Sequence, residues 1–227
     1  MIEEHVNFNS DGMKLEGVWS YEENALNPPS MLLCPPHPHL GGDMENNVIT
    51  ALGNVLAEKG FATLRFNYRG VGNSESRLDN IAEEYEYWEE ILNNDDCSDA
   101  IVDATSAINY LESTVGTNRL FITGYSFGAI VAMMLSVKHA NIKAFAAIST
   151  PFGRFDTSFL SDCKKSKLFI CADNDFASSI EEVNKGMLNI SEPKILDVIN
   201  NCDHFYIDKE RNVADKVYKF FTSDSSA

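Results

Sequence analysis

At 227 residues, with 44% hydrophobic and 23% charged content, the chain has the size and make-up of one well-buried globular domain, which excludes a disordered or fibrous protein. A formal net charge of −16 and a pI near 4.6 repel phosphate backbones and anionic lipid, so neither nucleic acid nor membrane is an expected partner, and a small molecule is. The five cysteines, Cys34, Cys97, Cys163, Cys171 and Cys202, are odd in number and scattered, with no C-x-x-C pair. They read as reduced thiols of a cytoplasmic protein, not as a disulfide framework or a zinc ribbon. The N-terminus carries acids where a signal peptide carries basic and apolar blocks, and no run of about 20 apolar residues follows.

Residues 6–9 and 13–21 are short strand-like runs around Ser10-Asp11-Gly12, a hairpin turn in which the glycine supplies positive φ. Strand-like and helix-like segments then alternate: strand 30–34, helix 46–59, strand 62–67, helix 98–113, strand 120–123, helix 127–139, strands 144–149 and 167–171, helix 178–188, strand 194–199 and helix 212–221. Several of these strands are continuous apolar runs, as strands covered on both faces require. The alternation predicts an α/β fold with a mostly parallel, twisted sheet of about eight strands and helices on both faces. A single domain is expected over 1–221, with a small, polar and flexible tail at 222–227.

Residues 80–99 break the rhythm with a density of acids and aromatics. Ile81, Tyr85, Trp88 and Leu92 fall at helical spacing, which predicts an amphipathic helix whose carboxylates form its solvated face. A second reading makes the segment a small cover over a pocket.

The stretch Gly124-Tyr125-Ser126-Phe127-Gly128 joins a strand-like run to a helix-like run. A serine hydroxyl is a poor nucleophile unless a tight strand-to-helix turn presents it to a base, and flanking glycines remove the side chains that would clash there. The backbone N–H of Phe127 then points to where an oxyanion would form, beside the positive end of the helix. An acid and a histidine follow later strands: Asp173 and Asp175 after the run 167–171, and His204 after the run 194–199. In a parallel sheet these positions converge on one edge, so His204 could take the proton of Ser126 while an aspartate fixes the ring's tautomer.

With these motifs the chain resembles the α/β-hydrolase superfamily, and within it the small lidless hydrolases akin to the dienelactone hydrolases. The resemblance runs over nearly the whole chain: the loop His37-Pro38-His39-Leu40-Gly41-Gly42, the stretch Leu64 to Ser74 with its Arg69-Gly70-Val71-Gly72-Asn73-Ser74 turn, the Ser126 elbow, Asp175 and His204. It implies Ser126 as nucleophile, His204 as base and Asp175 as acid, Ala172 standing where the family has a glycine. Asp173 is then left to cap the turn. The resemblance also implies that a backbone N–H of His39 or Leu40 complements that of Phe127, and that Arg69 anchors a turn beside the site. Tyr125, Tyr85 and Trp88 are the expected pocket residues. The short interval between Ser149 and Lys167 leaves no room for a large lid, so an open site is expected, covered at most by Tyr85, Tyr87 and Trp88.

His37 and His39 have the spacing of two metal ligands on a strand, but no motif supplies a third and the intervening proline fits a loop, so no metal is expected. Cys202 lacks an elbow to present it. Met133 and Met134 read as core filler. The expected function is hydrolysis of a carboxylic ester through an acyl-enzyme on a Ser-Asp-His triad, with no cofactor and a small acyl compound as substrate. Thioester, lactone and peptide substrates stay open, as does a silent binding protein on the same fold. No motif specifies the oligomeric state.

Overall fold

Residues 1–116 and 119–223 are described by a computed structural model of the chain. Along β3 (Ser30–Cys34) every residue is buried, and successive side chains enter different apolar clusters: Leu32 and Cys34 one, Met31 and Leu33 the other. That alternation is the period-2 geometry of a strand covered on both faces. Each fully buried leucine there contributes roughly 1.5–3 kcal/mol relative to an exposed one.

Eight strands form one sheet in the order β1-β2-β4-β3-β5-β6-β7-β8. β1 (Ile2–Ser10) and β2 (Met13–Tyr21) pair antiparallel, β2 joins β4 (Ala62–Phe66) antiparallel, and every later pairing is parallel. The remaining strands are β5 (Leu120–Tyr125), β6 (Ile142–Ile148), β7 (Ser166–Asn174) and β8 (Lys194–Asp203). α1 (Asn47–Glu58) and α6 (Glu210–Ser223) pack on one face. α2 (Ile81–Asn94), α3 (Ser98–Val115), α4 (Phe127–Lys138) and α5 (Ile180–Leu188) pack on the other. The chain leaves β3 through α1 toward β4 on one side and leaves β5 through α4 toward β6 on the other. Neighbouring strands whose connections depart in opposite directions open a crevice at their carboxyl ends, where ligands of open α/β sheets bind.

Several elements exceed their expected lengths. β1 begins at Ile2, because an edge strand paired only with β2 tolerates the exposed Glu3, Glu4 and His5 that hid it in the apolar pattern. β7 and β8 run on past the core into a polar extension that pairs Asn174 with Asp203 after a register shift. α6 continues to Ser223, into the expected tail, and residues 224–227 lie outside the described residues.

Candidate active site

Ser126 stands between β5 and α4 with φ 56° and ψ −118°, a conformation that non-glycine residues seldom adopt, and its N–H donates to the Ile148 carbonyl at 2.8 Å. The flanking glycines are there for space. A Cβ on Gly124 would lie 1.9 Å from the Gly128 carbonyl oxygen, and one on Gly128 would lie 2.1 Å from the Cys34 carbonyl oxygen. Removing both side chains lets the turn close against the end of β3. As the first N–H of α4, that of Phe127 lacks an intrahelical acceptor and stands as a donor at the helix's positive end.

Asp175 follows β7 and His204 follows β8. Asp175 Oδ1 lies 2.7 Å from His204 Nδ1 across 29 positions of sequence. Burial pushes the Asp175 carboxyl up, but bonds from His204, Ser149 and the Ala177 N–H, with the His204 charge, outweigh it and hold the pKa below the usual carboxylate value. An ionised carboxylate only accepts, so Nδ1 carries the imidazole proton and Nε2 keeps its lone pair free to accept. Asp173 is turned elsewhere: its carboxylate accepts from the N–H groups of Asn201 and Cys202 at 2.9 and 3.0 Å, capping the turn before His204.

The second Asp175 oxygen accepts from the Ser149 hydroxyl at 2.5 Å, and Ser149 Oγ lies 2.7 Å from the Tyr206 hydroxyl. Tyr125 lies beneath His204 and donates its hydroxyl to the His204 carbonyl at 2.6 Å. Phe176 packs on the imidazole ring at 4.5 Å between centroids. These neighbours leave His204 only 6% exposed.

Ser126, Phe127 and His204 line a cavity of about 230 Å³ together with Ile91, Leu92, Pro151, Phe155 and Phe176. Among the described residues, its lining is largely apolar and holds no carboxylate. The one permanent cation is Arg154, which is ion-paired with Asp95 and donates to the Leu92 carbonyl at the end of α2. The interval from β6 to β7 contains a single short 3₁₀ turn, Ser158–Leu160, and supplies Pro151, Arg154 and Phe155 to the lining.

The expected pocket residues fall elsewhere. Tyr125 is buried under His204, Tyr85 is exposed and stacks on His39, and Trp88 is buried between His37 and Tyr68. Only the carboxyl half of α2 leans on the body, so the buried stripe runs through Trp88 and Ile91, while Ile81 is 83% exposed. The helix has a solvated acidic face, and the residues it gives to the cavity are Ile91 and Leu92 in place of the expected Tyr85, Tyr87 and Trp88. Arg69 is buried and bonds Asp103 and Asp99, tying the turn after β4 to α3, and its carbonyl accepts from the Trp88 indole.

The loop after β3 differs from expectation in its donors. The His39 N–H donates to His37 Nδ1 at 3.2 Å and the Leu40 N–H to the His37 carbonyl at 3.0 Å, so both are engaged within the loop. His37 therefore accepts at Nδ1 and carries its proton on Nε2. Burial, with the nearby charges of His39 and Arg154, pushes its pKa down to about 4, and the ring is neutral near pH 7.

A family model described as serine aminopeptidase, S33 (Hydrolase_4), matches residues 41–173, a span that holds the Ser126 elbow and ends just before Asp175. The chain belongs to this family of α/β-hydrolases. It is similar to an uncharacterized protein of Rickettsia prowazekii (strain Madrid E), with 30% identity over 208 residues, covering 88% of this chain and 80% of the relative. Among solved structures it is similar to an α/β-hydrolase of unknown function from Agrobacterium tumefaciens, with 26% identity, a TM-score of 0.81, and 98% and 97% of the two chains covered. A serine hydrolase without a lid from Xanthomonas campestris shares the fold at 22% identity and a TM-score of 0.77, over 94% of this chain and 90% of that one. The α/β-hydrolase fold and membership among the hydrolases stand on these matches together.

Proposed function

We propose that the protein hydrolyses carboxylic esters with a short apolar acyl group, through an acyl-enzyme on Ser126. The observation that carries this reading is the 2.7 Å bond from His204 Nδ1 to Asp175, which fixes Nε2 as a base in the cavity that Ser126 enters. In this mechanism Nε2 takes the Ser126 proton as Oγ attacks the substrate carbonyl. The imidazolium, stabilised by Asp175, protonates the leaving alkoxide, and a water activated at the same nitrogen releases the acid.

The Phe127 N–H is the first donor to the oxyanion. His39 supplies the second when its N–H turns from His37 Nδ1. A bond to an anionic acceptor is roughly twice as strong as one to a neutral acceptor, so the developing charge competes for it.

An ester fits this cavity better than the peptide implied by the family's description. An aminopeptidase has to receive a free ammonium group, and burying that charge without a carboxylate is costly. The cavity offers apolar side chains and Arg154 instead.

The test is intact-mass spectrometry after treatment with a fluorophosphonate, on wild type, Ser126→Ala and His204→Ala, paired with hydrolysis of p-nitrophenyl butyrate. A single adduct on wild type alone, with turnover lost in both variants, is the expected result. Undiminished hydrolysis by folded Ser126→Ala would overturn the reading, and the absence of any adduct on folded wild type would favour a silent binding protein.

A further inference from the structure

The Asp175 carboxylate has a partner set that the three-residue mechanism does not use. Ser149 follows β6 and Tyr206 follows His204, and both hold non-glycine backbones at positive φ, 49° and 54°. Both are almost fully buried, at 1% and 0% exposure. Left-handed backbone at two buried, non-glycine positions persists only where the surroundings fix it, and here it aims both hydroxyls at Asp175 and at each other.

The proton directions in this cluster follow from counting. Asp175 is ionised and only accepts. Ser149 has one hydroxyl hydrogen, which the 2.5 Å contact to Asp175 Oδ2 consumes. The 2.7 Å contact between Ser149 Oγ and the Tyr206 hydroxyl therefore runs from tyrosine to serine. On the other carboxylate oxygen, the His204 Nδ1–H donates at 2.7 Å and the Ala177 N–H at 2.8 Å.

We propose that Ser149 and Tyr206 are positioning residues of the catalytic machinery, forming a one-way chain from Tyr206 through Ser149 to Asp175 that fixes the carboxylate's orientation and tunes the basicity of His204. The inference rests on the reading of Ser126, Asp175 and His204 given above. Its physical basis is that a donor on Oδ2 draws charge away from Oδ1. Without that donor the carboxylate concentrates its charge and holds the proton on His204 more tightly. Hydrogen bonds in series also polarise one another in a buried setting, so the tyrosine acts through the serine.

Other ionisable groups face this cluster. Burial raises the phenols of Tyr125 and Tyr206 and the thiols of Cys171 and Cys202, so all four are neutral at and below pH 7. Asp173 is committed to the N–H groups of Asn201 and Cys202, and Asp203 accepts from the Phe205 N–H at 3.0 Å. A shift in the acid limb of the rate profile therefore reports on the chain itself.

The experiment measures kcat, KM and the pH dependence of kcat/KM on p-nitrophenyl butyrate for wild type, Ser149→Ala, Tyr206→Phe, the double variant and Ser126→Ala. Ser149→Ala is expected to lower kcat about 10- to 100-fold, the scale of a misplaced catalytic group, with little change in KM. Its acid limb should move to higher pH. Tyr206→Phe keeps the buried ring and should produce a smaller change in the same direction. In the Ser149→Ala background the tyrosine substitution should have no further effect, the mark of a residue acting through another. If folded Ser149→Ala, or folded Tyr206→Phe should the alanine variant not fold, keeps the wild-type acid limb and a kcat within about twofold of wild type, the chain has no such role. Full effects of both substitutions that simply add would likewise overturn it. Activity persisting in Ser126→Ala refutes the underlying reading instead, so the two failures are separable.

Discussion

A Cβ placed on Gly128 would lie 2.1 Å from the backbone carbonyl oxygen of Cys34, so the helix that follows Ser126 is seated directly on the end of β3. The clash is with backbone, and no side-chain rotation relieves it. Gly128→Ala should cost on the order of 3 kcal/mol, which for a chain of this size lowers Tm by roughly 6–12 °C. It should also slow fluorophosphonate labelling by displacing the elbow. A variant that melts with wild type and labels at the wild-type rate would show that the two segments are not in close contact.

His37 links pH to stability. Its folded pKa of about 4 lies below the ordinary 6.5, so between these values the unfolded chain binds a proton that the folded chain refuses. Stability from this residue is complete above pH 6.5 and declines as pH falls toward 4. At pH 5 the decline amounts to about 2 kcal/mol. His37→Asn retains an acceptor for the His39 N–H and does not titrate. In urea unfolding at pH 7.5 and pH 5.0, this variant should lose about 2 kcal/mol less than wild type on acidification. Parallel losses in the two proteins would refute the assignment.

Arg154 bolts the carboxyl end of α2 to the loop after β6 through Asp95 and the Leu92 carbonyl. The pair is more than a third exposed, so its contribution to global stability is small, about 0–1 kcal/mol. Its local effect should be larger. Arg154→Ala should speed amide exchange and proteolysis within Ile81–Asn94 while leaving the rest of the protein protected, and added salt should move wild type in the same direction. Unchanged exchange across α2 would show that the helix is held by its apolar face alone.

Leu92 projects from α2 into the cavity beside Ser126. If the acyl group lies there, Leu92→Trp should shift preference toward shorter chains, changing the ratio of kcat/KM for p-nitrophenyl octanoate over acetate by about tenfold or more. Leu92→Ala should shift it the other way. Identical chain-length profiles in all three proteins would place the acyl group outside this cavity.

The fold was legible because strands buried on both faces declare themselves as apolar runs, as 120–123 and 167–171 do, and because helical runs alternate with them. Ser126 was legible from the two glycines that its close-packed turn demands. The histidine's carboxylate partner was ambiguous in sequence because Asp173 and Asp175 both follow one apolar run, and only their partners, backbone N–H groups for one and an imidazole for the other, separate them. Ser149, Tyr206 and Arg154 carried no local signal, since each matters through a contact formed across at least 26 positions of sequence. A stronger local sign was available for Phe176, which directly follows Asp175 and lines the cavity. The engagement of the His39 N–H was not legible, because backbone pattern alone does not show that the His37 ring competes for it.

The polar extension of β7 and β8 has a consequence for inactivation. Ser126 rises from β5, flanked by strands on both sides, whereas His204 hangs from β8, which has a neighbour on one side only. Ser126 thus belongs to the best protected part of the sheet, and His204, its base in the proposed mechanism, to a margin that opens at lower free energy. Mild heat or denaturant should detach the histidine while the core is intact, so catalysis would fade below the main unfolding transition and return on cooling.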